Sequence, residues 1–138
     1  MAIRKVLVVD DHVETRDVIR SILEGERSDS HEVIEAGNGA DCLKAAERDG
    51  PFDLILLDVN LPDMDGYAVC RAIRCVDAEV PIVFVTGKSD LKDYAAGRDA
   101  GGDSYLVKPI ARAALRSIVS LFTSIQRGGG SGKGIEGV

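Results

Sequence analysis

The segment Phe52–Leu57, FDLILL, is a short apolar run that ends at the carboxylate of Asp58. Gly50 and Pro51 precede it and turn residues follow it, so the run is typical of a β-strand buried on both faces. Asp58 is therefore expected where a core strand leaves the sheet. In open α/β sheets, this edge is where ligands bind.

Strand-like and helix-like runs alternate along the rest of the chain. This alternation predicts an α/β fold, with a five-stranded parallel sheet and helices on both of its faces. The predicted strands are 6–9, 31–36, 53–57, 81–86 and 104–107, and the predicted helices are 14–24, 40–48, 67–75, a segment around 91–95, and 111–126. Ser89 or Asp90 is expected to cap the fourth of these helices.

The helical periods also predict which side chains face the core. In the first helix the inward stripe comprises Val18, Ile19, Ile22 and Leu23, and in the last it comprises Leu115, Ile118, Phe122 and Ile125. Val119 and Leu121 lie off that last stripe, so they form either a partner-binding face or the edge of the core.

Composition narrows the class of protein. The chain has 138 residues, 45% of them hydrophobic and 29% charged, which suits one globular domain. Its net charge of −6 argues against general binding to DNA or to anionic membranes. Cys42, Cys70 and Cys75 are odd in number and show no CxxC spacing, so we expect buried or free thiols and a cytoplasmic location. No apolar stretch approaches the roughly 20 residues of a membrane span, so no membrane insertion is expected.

The composition changes after the last predicted helix. Residues 1–126 are expected to form the folded domain, and residues 127–138 are rich in glycine, as flexible tails and linkers are. The sequence leaves open whether this stretch is a native linker.

Charged and polar residues end four of the predicted strands. Asp10 and Asp11 follow the first strand, Asp58 the third, Thr86 ends the fourth, and Lys108 follows the fifth. Because the carboxyl ends of parallel strands share one edge, we expect these side chains to converge. Three clustered carboxylates are costly without a cation, although one of the first pair could instead cap the following helix.

This set of groups suits phosphoryl transfer assisted by Mg²⁺. Asp10, Asp11 and Asp58 offer the oxygen ligands that Mg²⁺ prefers, and a backbone carbonyl in the loop of Val59 and Asn60 can complete the set. Asp58 can act as the nucleophile, while Lys108 and the metal neutralise phosphoryl oxygens and Thr86 offers a hydroxyl. Pro109 fixes a turn directly after the lysine, where a cis peptide bond is compatible with the sequence.

At these residues the chain resembles the receiver domain of bacterial two-component response regulators. The resemblance covers about residues 4–126, and together its motifs are highly specific. The motifs are Val8-Val9-Asp10-Asp11, the segment from Leu57 to Gly66, Val85-Thr86-Gly87, and the segment from Asp103 to Pro109.

The resemblance implies a flavodoxin-like, doubly wound (βα)5 fold with strand order 2-1-3-4-5. It implies that Asp58 accepts a phosphoryl group from a histidine kinase or a histidine phosphotransfer protein, and that the backbone carbonyl completing the Mg²⁺ site is the one of Asn60. Thr86 and Tyr105 would form a conformational switch in which Tyr105 moves inward. The switch would remodel the face of helix 4, strand 5 and helix 5 for a downstream protein, with phosphorylation-dependent homodimerisation left open.

Other functions fit the sequence less well. An aspartate-nucleophile phosphatase usually has a second aspartate two residues after the first, where this chain has Asn60. A flavodoxin would need a phosphate loop where Asp10 and Asp11 stand. A receiver-like interaction module that is never phosphorylated is the main alternative. A DNA-binding output would need a further domain, so the chain is either a single-domain regulator or part of a longer regulator or hybrid kinase.

Overall fold

A computed structural model describes residues 4–25, 31–87 and 94–124. Strands and helices alternate through these residues, as predicted. The strands are β1 (Arg4–Val9), β2 (His31–Ala36), β3 (Leu54–Asp58), β4 (Ile82–Thr86) and β5 (Ser104–Val107). The helices are α1 (Val13–Glu24), α2 (Gly39–Arg48), α3 (Gly66–Arg74), α4 (Tyr94–Ala100) and α5 (Arg112–Ser124).

The five strands form one parallel sheet in the order β2-β1-β3-β4-β5, which confirms the predicted order. Val9 pairs with Leu57, and Leu57 pairs with Phe84, so the strands end at nearly the same level. The chain adds β2 on one side of β1 and β3 on the other. The carboxyl ends of β1 and β3 therefore flank the position where ligands bind in doubly wound sheets.

Alternate side chains of each strand enter two separate cores, because successive residues of a strand point to opposite faces. On one face Leu7, Ile55 and Phe84 pack with α2, α3 and α4. On the other face Val8 and Leu56 pack with α1 and α5. Both faces of β3 are thus covered, as its uninterrupted apolar run predicts.

Two predictions about helix faces are wrong in detail. Val18 is 50% exposed, whereas Ile19, Ile22 and Leu23 are buried. At 100° per residue, Val18 lies about a quarter turn from the centre of that stripe and thus at its edge. Val119, placed off the inward stripe of the last helix, is buried, because it lies one turn beyond Leu115 and shares its face. Leu121 is exposed.

The cysteines behave as the sequence predicts. Cys42 and Cys70 are buried and unbridged, and Cys75 is exposed. Burial, with a smaller contribution from Asp63, raises the pKa of Cys42 to about 12. The predicted caps Ser89 and Asp90, the core residue Ile125 and the glycine-rich stretch lie outside the described residues.

Candidate functional site

The carboxyl edge of the sheet gathers acidic side chains from two central strands. Asp10 directly follows β1, and Asp58 is the last residue of β3. Both are buried, with 1% and 3% of their surfaces exposed. Buried carboxylates are rare unless they are paired, so their partners determine what this edge can do.

Lys108 is the cation shared by the two carboxylates. Its Nζ lies 2.8 Å from Asp10 Oδ2 and 3.1 Å from Asp58 Oδ2. The lysine follows β5, and its backbone N–H donates to the carbonyl of Thr86 at 2.7 Å, which fixes it against the end of β4. Its side chain is 25% exposed, so the ammonium group lies at the opening of the site.

One lysine does not balance two buried carboxylates. Burial raises the pKa of Asp58, and the charge of Asp10 raises it further, against the opposing effects of the Asn60 N–H and Lys108. Burial alone would lower the pKa of Lys108, but its contacts with Asp10 and Asp58 outweigh that effect and raise it. A further cation at this edge would relieve the excess negative charge.

Asp11 and His12 extend the acidic edge towards solvent. Ligand atoms of Asp10, Asp11 and His12 all lie within 4.8 Å of one another. His12 is the N-cap residue of α1, and its N–H donates to Asp10 Oδ1 at 2.9 Å. Neither aspartate therefore serves as the N-cap of α1. The carboxylate oxygens match the donor set that Mg²⁺ prefers, so the side chains at this edge fit such an ion.

The loop between β3 and α3 is held at both ends. The N–H of Asn60 donates to Asp58 Oδ1 at 3.0 Å, which fixes one carboxylate oxygen. Gly66 packs so closely that a β-carbon there would lie 2.3 Å from the carbonyl oxygen of Asp58. Only glycine fits this contact, which explains the Asp-Gly pair at the start of α3.

Asp63 anchors the middle of the same loop and was not singled out by the sequence. Its two carboxylate oxygens accept hydrogen bonds from the N–H groups of Gly39 and Ala40, at 2.7 and 2.9 Å. These bonds satisfy free donors at the start of α2 and lower the pKa of Asp63. An aspartate in a loop usually caps its own helix, so sequence spacing gives no sign of this longer link.

The two predicted switch residues lie near this edge on β4 and β5. Thr86 is fully buried at the end of β4. Tyr105 is partly buried, and its ring centroid lies 5.3 Å from that of Phe84. Pro109 follows Lys108 through a cis peptide bond. The structure thus brings Asp10, Asp58 and Lys108 into direct contact, with Thr86 beside the lysine backbone.

Known proteins share this sequence pattern. A model of the response regulator receiver domain matches residues 6–120. Transcriptional regulatory protein PrrA of Mycobacterium tuberculosis is 42% identical over 111 residues, which cover 80% of this chain and 46% of PrrA. DNA-binding response regulator MtrA of Mycobacterium leprae is 40% identical over 106 residues, covering 77% of this chain and 45% of MtrA. The chain thus spans about half the length of these curated relatives.

Solved structures share the fold over most of both chains. A CheY-like response regulator receiver domain protein from Methanospirillum hungatei superposes with a TM-score of 0.82 and 28% identity, covering 89% of this chain and 95% of that one. The receiver domain of a sensor histidine kinase from Pseudomonas aeruginosa, with a magnesium ion coordinated in its active-site cleft, gives a TM-score of 0.77 and 31% identity, covering 89% of this chain and 99% of that one.

Within the described residues, no helix is long and apolar enough to span a bilayer.

Proposed function

Because the chain belongs to the response regulator receiver family, we propose that it is a signalling switch activated by phosphorylation of Asp58. The observation that carries this proposal is the pairing of a buried strand-end carboxylate with Lys108 at 3.1 Å, beside a second buried carboxylate. This arrangement offers a nucleophile and a charge-neutralising group at the ligand-binding edge.

The chemistry follows from the contacts of Asp58. A carboxylate oxygen attacks the phosphorus of a phosphohistidine on a kinase or phosphotransfer protein, forming an O–P bond as the P–N bond breaks. The imidazole leaves and takes up a proton. The Asn60 N–H and the Lys108 ammonium orient the carboxylate beforehand. Lys108 and the Thr86 hydroxyl then bind phosphoryl oxygens, where charge is spread in the transition state.

We also propose which residues hold the metal. Asp10, Asp11, Asp58 and the backbone carbonyl of Asn60 would bind Mg²⁺, which supplies positive charge to the transferring group when bound. The excess of buried negative charge over Lys108 supports this assignment, since a cation stabilises the arrangement. Asp10 and Asp11 contribute carboxylates from the carboxyl end of β1, and Asp58 contributes one from the carboxyl end of the neighbouring strand β3.

The output is proposed to be a protein contact. Rearrangement of Thr86 and Tyr105 would alter the face of α4, β5 and α5, to which a downstream protein or a second copy of the chain binds. DNA binding appears in the name of one longer relative, MtrA, and this chain matches less than half of the length of that protein. Residues 1–126 would form the cytoplasmic receiver, and residues 127–138 a tail or linker. The receiver domain would take up a phosphoryl group on Asp58 and promote hydrolysis of the phosphoaspartate, rather than turn over a separate substrate.

Intact-protein mass spectrometry tests this proposal. Incubation with acetyl phosphate and Mg²⁺ should add about 80 Da, the mass of one phosphoryl group on the aspartate nucleophile. Asp58→Asn should remove the adduct, whereas Asp17→Asn, on the exposed side of α1, should retain it. An equal adduct in Asp58→Asn would overturn the assignment. No adduct in wild type, even with rapid quenching, would favour the interaction module that is not phosphorylated.

A further inference from the structure

Tyr67 and Tyr105 pack against Phe84, on the face of the sheet covered by α3 and α4, and the third tyrosine, Tyr94, packs against Tyr105. The ring centroid of Phe84 lies 5.0 Å from that of Tyr67 and 5.3 Å from that of Tyr105. The ring of Tyr94 lies 4.8 Å from that of Tyr105. Tyr105 is therefore packed between two helices, with its hydroxyl directed across the inner side of α4.

Hydrogen bonds fix that hydroxyl from both sides. The hydroxyl of Tyr105 donates to the carbonyl of Tyr94 at 3.3 Å and lies 3.2 Å from the hydroxyl of Tyr67. A phenol has one proton to donate, so Tyr67 supplies the proton of the bond between the two hydroxyls. The chain of bonds links α3, β5 and α4 through the single side chain of Tyr105.

Gly97 provides the space that this position requires. A β-carbon at Gly97 would lie 2.0 Å from the hydroxyl oxygen of Tyr105 and 2.8 Å from its Cζ. Glycine is a poor helix former compared with alanine, yet Gly97 lies inside α4. Room for the tyrosine hydroxyl gives this glycine a physical role.

We propose that Tyr67 is a positioning residue for the switch: its hydroxyl, together with the space over Gly97, holds Tyr105 on the inner side of α4. This inference rests on the proposed function, in which phosphorylation favours an inward Tyr105. A contact that favours the inward position also favours the phosphorylated state, because the two equilibria are linked. Tyr67 thereby sets how readily the switch responds without touching the reacting atoms.

The position of Tyr105 can be measured directly by ¹⁹F NMR on protein labelled with 3-fluorotyrosine. The three tyrosines give three signals, each assigned by its Tyr→Phe variant. A soluble paramagnetic probe should broaden the Tyr105 signal weakly in wild type and more strongly in Tyr67→Phe. Tyr94→Phe is the matched control, because Tyr105 bonds to the backbone carbonyl of Tyr94 and not to its hydroxyl.

Gly97→Ala tests the same position from the other side. Its β-carbon takes the place of the Tyr105 hydroxyl, so Tyr105 should become the most exposed of the series. Alanine favours the helix, the end of the Tyr105 side chain can move, and the Phe84 ring, 3.0 Å from the new β-carbon, has to shift only slightly, so the variant should fold. Circular dichroism and urea unfolding check this before the NMR comparison.

Beryllofluoride, an analogue of the phosphoryl group, tests the link to signalling. With Mg²⁺ present, Tyr67→Phe should bind beryllofluoride about two- to fivefold more weakly than wild type, the change expected from the loss of one hydrogen bond. Gly97→Ala should weaken it more, and Tyr94→Phe should not change it. Wild-type protein that fails to bind beryllofluoride would overturn the proposed function. Normal binding by wild type, with unchanged NMR exposure and affinity in Tyr67→Phe, would overturn this inference alone.

Discussion

Two charged clusters lie close together near β1, and they are built on opposite principles. The carboxylate site comprises Asp10, Asp58 and Lys108, in which one cation serves two buried acids. The arginine cluster comprises Arg16, Arg20, Glu24 and Glu35, in which two cations serve two acids between α1 and β2. Both are dense in charge, but only one is balanced.

The arginine cluster satisfies its carboxylates. Glu35 accepts from Arg16 Nε at 2.8 Å and from Arg20 Nε at 2.7 Å, and Arg20 also pairs with Glu24 at 2.8 Å. Burial alone would raise the pKa of Glu35, but the two arginine hydrogen bonds outweigh it and lower that pKa. These bonds attach α1 to β2.

The contrast distinguishes a structural cluster from a candidate reactive site. In the carboxylate site burial and a neighbouring acid raise the pKa of Asp58, while in the arginine cluster the pKa of Glu35 is lowered. Charge that the protein leaves unbalanced is available to a cation or a phosphoryl group. Density of charge alone would mark both clusters equally.

The largest effect is expected from removing the shared cation. Lys108→Met leaves Asp10 and Asp58 buried together without the cation they share, and should reduce the free energy of unfolding by about 2–4 kcal/mol at neutral pH. Urea unfolding measures this loss. It should shrink at acidic pH, because protonation then removes the repulsion between the two carboxylates.

The double variant Lys108→Met with Asp58→Asn separates charge repulsion from lost packing. It should regain most of the lost stability, because only one buried carboxylate remains. If the double variant is as unstable as the single one, packing of the lysine side chain is responsible and the proposed imbalance is wrong.

An intermediate effect is expected in the balanced cluster. Glu35→Gln should lower the free energy of unfolding by about 1–2 kcal/mol, because it weakens two charge-assisted hydrogen bonds at a side chain only 22% exposed. In the wild type, folding lowers the pKa of Glu35. The stability that its ion pairs contribute is therefore present above the pKa of the unfolded state and is lost as pH falls through the pKa of the folded state. Glu32→Gln, on the same strand but exposed, is the control. A loss independent of pH would argue against the ion pairs.

Asp58→Asn should act in the opposite direction. It removes a buried charge near Asp10 and should raise the free energy of unfolding by about 1 kcal/mol, a gain typical of stabilising changes at functional sites. The folded pKa of Asp58 is raised, so its favourable contribution is present below the unfolded pKa and is lost as pH rises through the folded pKa. The advantage of the variant should therefore grow with pH. An advantage that shrinks would contradict the direction of the shift.

The sequence predicts the positions of the site better than its charge balance. Asp10, Asp58 and Lys108 share an edge because parallel strands end there, and apolar runs followed by polar residues reveal those ends. That one lysine contacts both acids depends on how β5 pairs with β4 and how β4 pairs with β3, which no local pattern records. The long-range anchor of Asp63 at the start of α2 escapes prediction for the same reason.

Helix faces show a related limit. The period of α1 predicts a buried stripe, but a residue at its edge, such as Val18, can face either way until the neighbouring elements are in place. In α5, Leu115 was predicted to face the core, and Val119 lies one turn later on the same face, so Val119 should have been predicted to be buried as well. Periodicity identifies the existence of a face more reliably than its width.

The smallest effect is expected for an ion pair whose cation is largely exposed to solvent. Arg48 and Asp49 lie 3.5 Å apart, with the arginine side chain 72% exposed. Water screens this pair, so Arg48→Ala should change the free energy of unfolding by less than about 0.5 kcal/mol. Urea unfolding at low and high salt checks this, with Glu35→Gln as the reference. If Arg48→Ala costs as much as Glu35→Gln, then burial does not determine the strength of these pairs, and the distinction between the two clusters loses its physical basis.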